Sequence, residues 1–352
     1  MKTYIIAEIG INHNQDKNIC LDLIRAAADA GCDAAKIQFF RAKYLYSPKS
    51  GKLSWKDDKK RYSYDIFLAA KRTETPAVWL DDIVSCCRDN KVEFLASVFD
   101  EEGLDLLIKK GLKKIKIASS MITNMPFIRY CARTGLPVLL STGGSDLGEV
   151  SKAVYAITAF HSKITLLQCT LGYPASPDEC NLGVLKTYSE AFPFAKTGFS
   201  DHTSLIYEAS VQAVHLGASV IEKHITLDKK MSGPDHFFAL EPKELKLMVA
   251  KIRGAEIKQR KSAPIDKRLL GKSCKEVLKS EAYLRDFIFP VIFSRRSIKK
   301  SELISPGDLL VLRKANFKEG LPADYSGLFA VARIRARRNI SAFTPLKYED
   351  IA

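Results

Sequence analysis

The sequence predicts a (β/α)8 TIM barrel followed by a small, mostly-β domain, and three observations carry that prediction. Short β-branched runs alternate with helical patterns throughout residues 1–257. Several helical stretches stop at a glycine just ahead of the next strand, as in "DAGCD", "KKGLKK", "RTGLPV" and "HLGAS", which is the stop signal expected at an αβ loop. Polar residues gather at the carboxyl end of nearly every strand. Eight strand–helix repeats in about 250 residues suit a closed parallel barrel. An open doubly wound sheet would usually advertise a glycine-rich phosphate turn, and neither GxGxxG nor GxxxxGKS occurs.

Taken in order, the strands are expected at 3–9, 33–39, 92–97, 113–119, 136–142, 163–170, 195–202 and 219–225. Helices are expected to follow them, for example at 18–30, 76–90, 125–134, 147–160, 204–216 and 242–257. A long insertion at 40–75, rich in Lys and Tyr, falls on the face where the strands end, and a loop of that length reads as a lid or a partner contact. These elements make residues 1–257 the barrel. Residues 258–283 are charged and poor in β-branched side chains, a basic linker with short helical turns. From 284 to 352 short strands return in "FIFPVIFSR", "DLLVLRK" and "LFAVARIRA", separated by Pro and Gly turns.

Composition narrows the function. The chain carries 55 Lys and Arg against 40 Asp and Glu, a net charge of +15, and residues 258–352 hold 21 against 10 of these. A basic tail can meet nucleic acid, an acidic membrane or an anionic substrate; no nucleic-acid motif with interleaved aromatics accompanies it, so solvated surface is the plainer reading. The eight cysteines show no CxxC and no zinc spacing, as expected of reduced, buried thiols in a cytoplasmic protein. The first strand begins within a few residues of Met1, so no signal peptide is expected, and no apolar run reaches the ~18 residues of a membrane span.

A barrel of this kind places its chemistry at the carboxyl ends of the strands. Those ends carry Glu8, Lys36 and Gln38, Ser97, Lys116 and Ser119, Ser141, Gln168 and Thr170, Asp201 and His202, and finally Glu222 and His224. On the last strand Glu222 and His224 are two apart and both point inward, with Lys223 turned towards the helices. Lys36 and Lys116 with Ser97, Ser119 and Ser141 make a cationic, hydroxyl-lined site for a phosphate or carboxylate; the plain alternative pairs Lys36 with Glu8. His202 and His224 on adjacent strands form a sparse shell for one divalent metal. Glu8 is the acid/base candidate, with a structural ion pair as its rival. His13 is a candidate for the surrounding layer, and His236 a loop residue.

The ordered set "IIAEIGINHN", "AAKIQFF", "IKIASS", "LLSTGG", "QCTLGYP", "GFSDHT", "IEKHIT" and "SGPDH" resembles the N-acylneuraminate (sialic acid) synthase family, which includes pseudaminate and legionaminate synthases. The tail "FIFPVIFSRRSIKKSELISPGDLLVLRKAN" resembles that family's C-terminal antifreeze-like (SAF) domain. The resemblance implies a transferase that condenses phosphoenolpyruvate (PEP) with an open-chain N-acylated aminohexose, giving a nine-carbon 2-keto acid for surface polysaccharide. It implies a bound Mn2+ or Mg2+ held by His202 and His224. Lys36, Ser97, Lys116, Ser119 and Ser141 would hold PEP, and Glu8 or the metal would assist water. Gln38, Tyr173, Glu222 and Asp235 match further site positions. It also implies a domain-swapped homodimer in which Arg313 reaches the partner's barrel, with Phe287 at the same junction, and neither a nucleic-acid nor a membrane partner.

Three positions depart from that pattern. Gln15 replaces a glycine, and Met121 and Leu171 stand where users of N-acetylmannosamine carry an acid and an asparagine. Both of the latter are expected to face the sugar, so their loss points to a less polar or differently decorated aldose, such as a deoxy or diamino sugar. The competing readings are a Schiff-base aldolase using Lys116, a phosphosugar-condensing PEP enzyme, a non-catalytic sugar-binding relative, and a nucleic-acid binder.

Overall fold

The protein, described as a computed structural model over residues 2–56, 61–257 and 265–351, has all eight expected barrel strands. In chain order the strands are β1 (Tyr4–Gly10), β2 (Ala34–Phe39), β3 (Lys52–Lys56), β4 (Arg61–Asp65), β5 (Glu93–Val98) and β6 (Ile115–Ile117). They continue with β7 (Val138–Ser141), β8 (Ile164–Cys169), β9 (Lys196–Asp201), β10 (Val220–His224), β11 (Pro290–Ser294) and β12 (Leu309–Arg313). A closed parallel barrel runs β1-β10-β9-β8-β7-β6-β5-β2. The fourth barrel strand, β6, is shorter than its sequence suggests. Lys114 is drawn out to Glu93 at 2.5 Å, and Ser119–Met121 wind into a 3-10 turn.

Register decides which side chains meet. Glu8 lies opposite His224 on one side and Lys36 on the other. Gln38 faces Ser97, and Ser97 faces Lys116. Because side chains alternate along a strand, Glu222 and His224 turn into the barrel while Lys223 turns out. Lys223 Nζ sits 3.0 Å from Asp201 Oδ1 and donates to the Thr203 carbonyl at 2.7 Å; the other Asp201 oxygen accepts from Ser210 in the covering helix Glu208–His215 at 2.9 Å. An ion pair sealed between sheet and helices is tolerated because its remaining polar atoms find partners.

The helices lie where their apolar periodicity puts them, at Lys17–Asp29, Leu80–Asp89, Met125–Arg133, Leu147–Thr158, Glu208–His215 and Pro242–Ile257. Side-chain caps start several of them: Asp16 accepts from Asn18 and Ile19, and Asp146 and Glu149 form a reciprocal capping box. One continuous apolar cluster runs between strands and helices, from Ile5 and Leu23 to Ile221 and Met248.

The 40–75 insertion is not an irregular loop. It holds the helical turn Ala42–Leu45, the β3–β4 hairpin and the helix Ile66–Lys71. It is tied to the C-terminal unit by Ser47 Oγ to the Phe343 carbonyl (2.7 Å), Lys49 Nζ to the Ala342 carbonyl (2.7 Å) and Asn316 Nδ2 to the Lys52 carbonyl (2.8 Å). In the linker, residues 258–264 lie outside the described residues, and the remainder contains the short helix Lys267–Leu270.

The C-terminal unit has its own apolar clusters, one around Ile292, Ile298, Leu321 and Leu346 and one around Val291, Phe293 and Leu312. The helix Ala282–Ile288 before it packs with the barrel cluster instead, through Leu284, Phe287 and Ile288. The two β runs at 287–295 and 308–314 form the antiparallel pair β11–β12. The third expected run, 328–336, begins as a helix, Leu328–Val331, because a 3-10 turn at Ala323–Gly327 feeds directly into it and buries Phe329; only Arg335 and Ala336 make bridges. No helix among the described residues is long and apolar enough to cross a membrane.

Candidate active site

At the carboxyl end of the barrel lies a cavity of about 350 Å3, within the usual size range of small-ligand sites. Glu8, Lys36, Gln38, Ser97, Lys116, Ser119, Ser141, Tyr173, His202, Glu222, His224, Asp235, Phe287 and Arg313 all line it. A groove of about 990 Å3 between the barrel and the C-terminal unit is larger, but its mixed lining of apolar side chains and charges of both signs holds none of these groups.

The floor is a fully buried charge network. Lys36 Nζ is 2.5 Å from Glu8 Oε2 and 3.5 Å from Glu222 Oε2, and donates to Ser97 Oγ at 2.8 Å. Lys116 Nζ is 3.3 Å from Glu222 Oε1, which also accepts from Ser200 Oγ at 2.9 Å. Gln38 Nε2 donates to the other Glu8 oxygen at 3.0 Å. So the plain alternative, a Lys36–Glu8 pair, is real, and the pair sits inside the cavity.

The two carboxyls are driven apart. Burial raises Glu8 above the ordinary carboxylate range, with Glu222 adding repulsion, and Lys36 offsets this only in part. Burial works against Glu222 as well, but Lys116 and Lys36 overcome it and hold its carboxyl at about 2. One acid is thereby poised to carry a proton while its neighbour stays ionised. Burial lowers Lys116, with Lys36 repelling it and Glu222 resisting.

The imidazoles stand together. The ring centroids of His202 and His224 are 5.6 Å apart, and Tyr173 stacks on His202 at 4.4 Å. Burial lowers His224 well below the usual imidazole range, and His202 and Lys36 add to this. Its Nδ1 is buried without a hydrogen-bond partner, and the closest carboxylate, Asp235, stays 3.9 Å away. His202 Nδ1 is held by the Thr170 carbonyl at 2.9 Å. Burial, reinforced by Glu8, pushes Asp235 up to about 6.

Two donors of the right chemistry and one unpartnered ring nitrogen fit an imidazole pair for a divalent ion. Among the described residues no group of three or more His, Cys, Asp or Glu could hold a metal, so water or substrate would complete the shell.

The family model for the NeuB family matches residues 23–263. The chain belongs to the NeuB family. It is 39% identical to the spore coat polysaccharide biosynthesis protein SpsE of Bacillus subtilis over 99% of this chain and 93% of that protein. It is 38% identical to the N,N'-diacetyllegionaminic acid synthase of Campylobacter jejuni over 90% and 91%. The SpsE crystal structure superposes with a TM-score of 0.87 over 100% of this chain and 95% of that one, at 38% identity. The structure of the N-acetylneuraminic acid synthetase of Leptospira borgpetersenii superposes at 0.65, with 30% identity over 81% and 90%.

Against this NeuB frame the geometry places Arg313 and corrects one expectation, at Met121. Arg313 lies over the mouth of the barrel within one chain: it donates to Tyr46 Oη at 3.0 Å and Ser120 Oγ at 3.3 Å, because β12 packs against the helical turn Ala42–Leu45. Met121 does not face the cavity. It is buried in the barrel's apolar cluster, and its neighbour Ser120 occupies the lining. Leu171 does line it, beside Leu53, Phe99, Leu284, Phe287 and Ile288.

His13, the candidate for the surrounding layer, is absent from the lining. It is buried under Trp79, bonded to Thr75 Oγ1 at 3.0 Å. Sequence reasoning missed Cys169, Ser200 and Tyr46. Cys169 reads as a buried thiol and is one, yet its Sγ lies 3.7 Å from His202 Nδ1. Ser200 was recoverable from the two-residue period that leads back from His202. For Tyr46, nothing local signals a site.

Proposed function

We propose that this NeuB-family chain is a synthase condensing PEP with an aldose to a nine-carbon 2-keto sugar acid and inorganic phosphate. The observation that carries the reading is the buried network of Glu8, Lys36, Lys116 and Glu222 beside paired imidazoles in one cavity, in a relative of legionaminic and neuraminic acid synthases.

Lys36 and Lys116, with Ser97, Ser119 and Ser141, hold the phosphate and carboxylate of PEP, since fixed ammoniums and hydroxyls bind such anions best where water is excluded. PEP C3 bonds to the aldehyde carbon, and the positive charge left at C2 takes up water. Glu8, with its raised affinity for protons, accepts one proton of that water, and a proton returns to the former aldehyde oxygen to make it a hydroxyl; the remaining proton of the new C2 hydroxyl leaves with phosphate as the C–O bond breaks, giving the 2-keto group. Glu222 stays ionised and keeps both lysines in place. His202 and His224 would hold Mn2+ or Mg2+, which when bound polarises the sugar carbonyl. Tyr173, Gln38 and Asp235 orient the aldose, and Arg313 covers it.

The aldose in this reading is less polar than N-acetylmannosamine, a deoxy or diamino sugar carrying acyl groups. Leu171 and the apolar wall of Phe99, Phe287 and Ile288 favour it. Free cysteines throughout and a PEP substrate suit a cytoplasmic enzyme, and the C-terminal unit serves as a SAF-type cap. A homodimer fits the reading.

The test is phosphate release from PEP by the purified protein with a panel of N-acyl aldoses and Mn2+ or Mg2+. Aldose-dependent release, highest for deoxy or diamino sugars, supports the reading. PEP left untouched with every aldose overturns it, and N-acetylmannosamine as the best substrate overturns the sugar assignment.

A further inference from the structure

We infer that Glu281, in the segment joining the barrel to the C-terminal unit, is a positioning residue that locks two active-site loops to each other; this rests on the synthase reading above. Its carboxylate is almost fully buried, at 1% exposure. Oε1 accepts the backbone N–H of Gly144 and of Leu171, each at 2.7 Å. The other oxygen accepts the N–H of Leu278 at 2.8 Å. Only that last bond serves its own segment. The first two reach 137 and 110 positions back along the chain.

Those two amides belong to the loops that follow β7 and β8. The first loop leaves Ser141, and its Gly143 N–H donates to Ser119 Oγ at 2.9 Å, so it sets two of the hydroxyls on the PEP side. The second loop carries Leu171 into the cavity wall and leads to Tyr173 stacked on His202. One oxygen atom therefore spans the PEP side and the sugar side.

The neighbouring contacts leave little freedom. Gly144 has φ +63°, and a Cβ there would come within 2.9 Å of Leu171 Cδ2. Arg285, one helical turn beyond Glu281, bonds the Gly144 carbonyl and grips Glu149 with both terminal nitrogens at 2.7 and 2.9 Å. The same short helix supplies Leu284, Phe287 and Ile288 to the cavity. The helix thus forms part of the sugar wall while Glu281 fixes the loops across from it. Two of the three N–H groups that the carboxylate accepts come from the two loops beside the cavity.

The experiment compares wild type with Glu281→Gln, Glu281→Ala and the half-exposed control Glu276→Gln, whose carboxylate pairs with Lys272 rather than with either loop. Hydrogen exchange of peptides spanning 142–147 and 170–176 is read alongside steady-state kinetics and Tm. In Glu281→Ala both peptides exchange at least about tenfold faster, peptides from β1 and β2 do not change, and KM for the aldose rises about tenfold with kcat per folded enzyme reduced. Glu281→Gln, which keeps one carbonyl oxygen for the two amides, recovers most of the protection and affinity. Glu276→Gln matches wild type.

Unchanged exchange in the two peptides overturns the inference, as does faster exchange in only one. A lowered Tm with normal KM and normal kcat per folded molecule reduces Glu281 to a stabilising residue and overturns it too. If wild type releases no phosphate with any aldose, the synthase reading fails by itself, and the exchange data alone decide whether the two loops are locked by Glu281.

Discussion

Lys36 and Glu8 meet at 2.5 Å with both side chains buried, across the pairing of β2 with β1. Each would be costly there alone. Glu8 also faces His224 across the barrel seam, so the pair joins the anion-binding lysines to the imidazoles.

Removing either partner should therefore have different consequences. Lys36→Ala leaves Glu8 and Glu222 without a shared cation and should cost about 3–5 kcal/mol of stability. Glu8→Gln keeps the shape and the Gln38 contact, so it should fold with little loss while turnover drops by about 100-fold or more. Chemical denaturation and phosphate-release assays on the two variants check this. Normal turnover in Glu8→Gln would exclude Glu8 as the proton carrier.

Chelation and histidine replacement should agree. With EDTA, aldose-dependent phosphate release should vanish and return on adding Mn2+ or Mg2+, and His224→Ala should lose turnover at an unchanged Tm. Full activity in EDTA would remove the ion from the reaction.

Because Arg313 covers the cavity within one chain, mixing two impaired variants and assaying at low aldose gives a clean outcome. Arg313→Ala should raise KM for the aldose about tenfold or more while KM for PEP stays within about twofold. Mixing it with Glu8→Gln, after partial denaturation and reassociation, should restore nothing. Recovered activity would mean that the arginine works across a subunit boundary.

His13 predicts a pH dependence of stability. Burial lowers it from 6.5 to about 4, and its Nδ1 accepts the Gln15 N–H at 3.1 Å. The unfolded chain binds this proton more readily, so His13 contributes stability that is whole above pH 6.5 and declines as pH falls to about 4. The loss is about 3 kcal/mol at about 1.4 kcal/mol per pH unit. His13→Asn, which retains an acceptor, should flatten the Tm profile across that window; parallel profiles would disprove the assignment.

Most of the fold was legible because the barrel repeats one physical pattern. A buried parallel strand shows as an apolar run, and each tip shows as an intrusion of polar residues, as in Glu222 and His224 at the end of β10. That pattern located the floor and the imidazoles. It could not locate Tyr46 or the route of Arg313, since both depend on how the 40–75 insertion lies against the C-terminal unit, a contact between segments more than 200 positions apart in sequence. Met121 failed for a related reason. Resemblance places it at a position facing sugar, whereas the 3-10 turn at Ser119–Met121 rotates Ser120 into the opening. The helix at Leu328–Val331 escaped because four residues hold too little periodicity to distinguish helix from strand.

The outward Lys223, locked to Asp201 behind the sheet, makes β10 intolerant of slippage. Inserting one residue ahead of Val220 would send an ammonium into the reaction chamber and drive Glu222 and His224 into the oily layer beneath the helices. Evolution can lengthen the loops on either side of this strand, but a frame error within it would forfeit activity and solubility together.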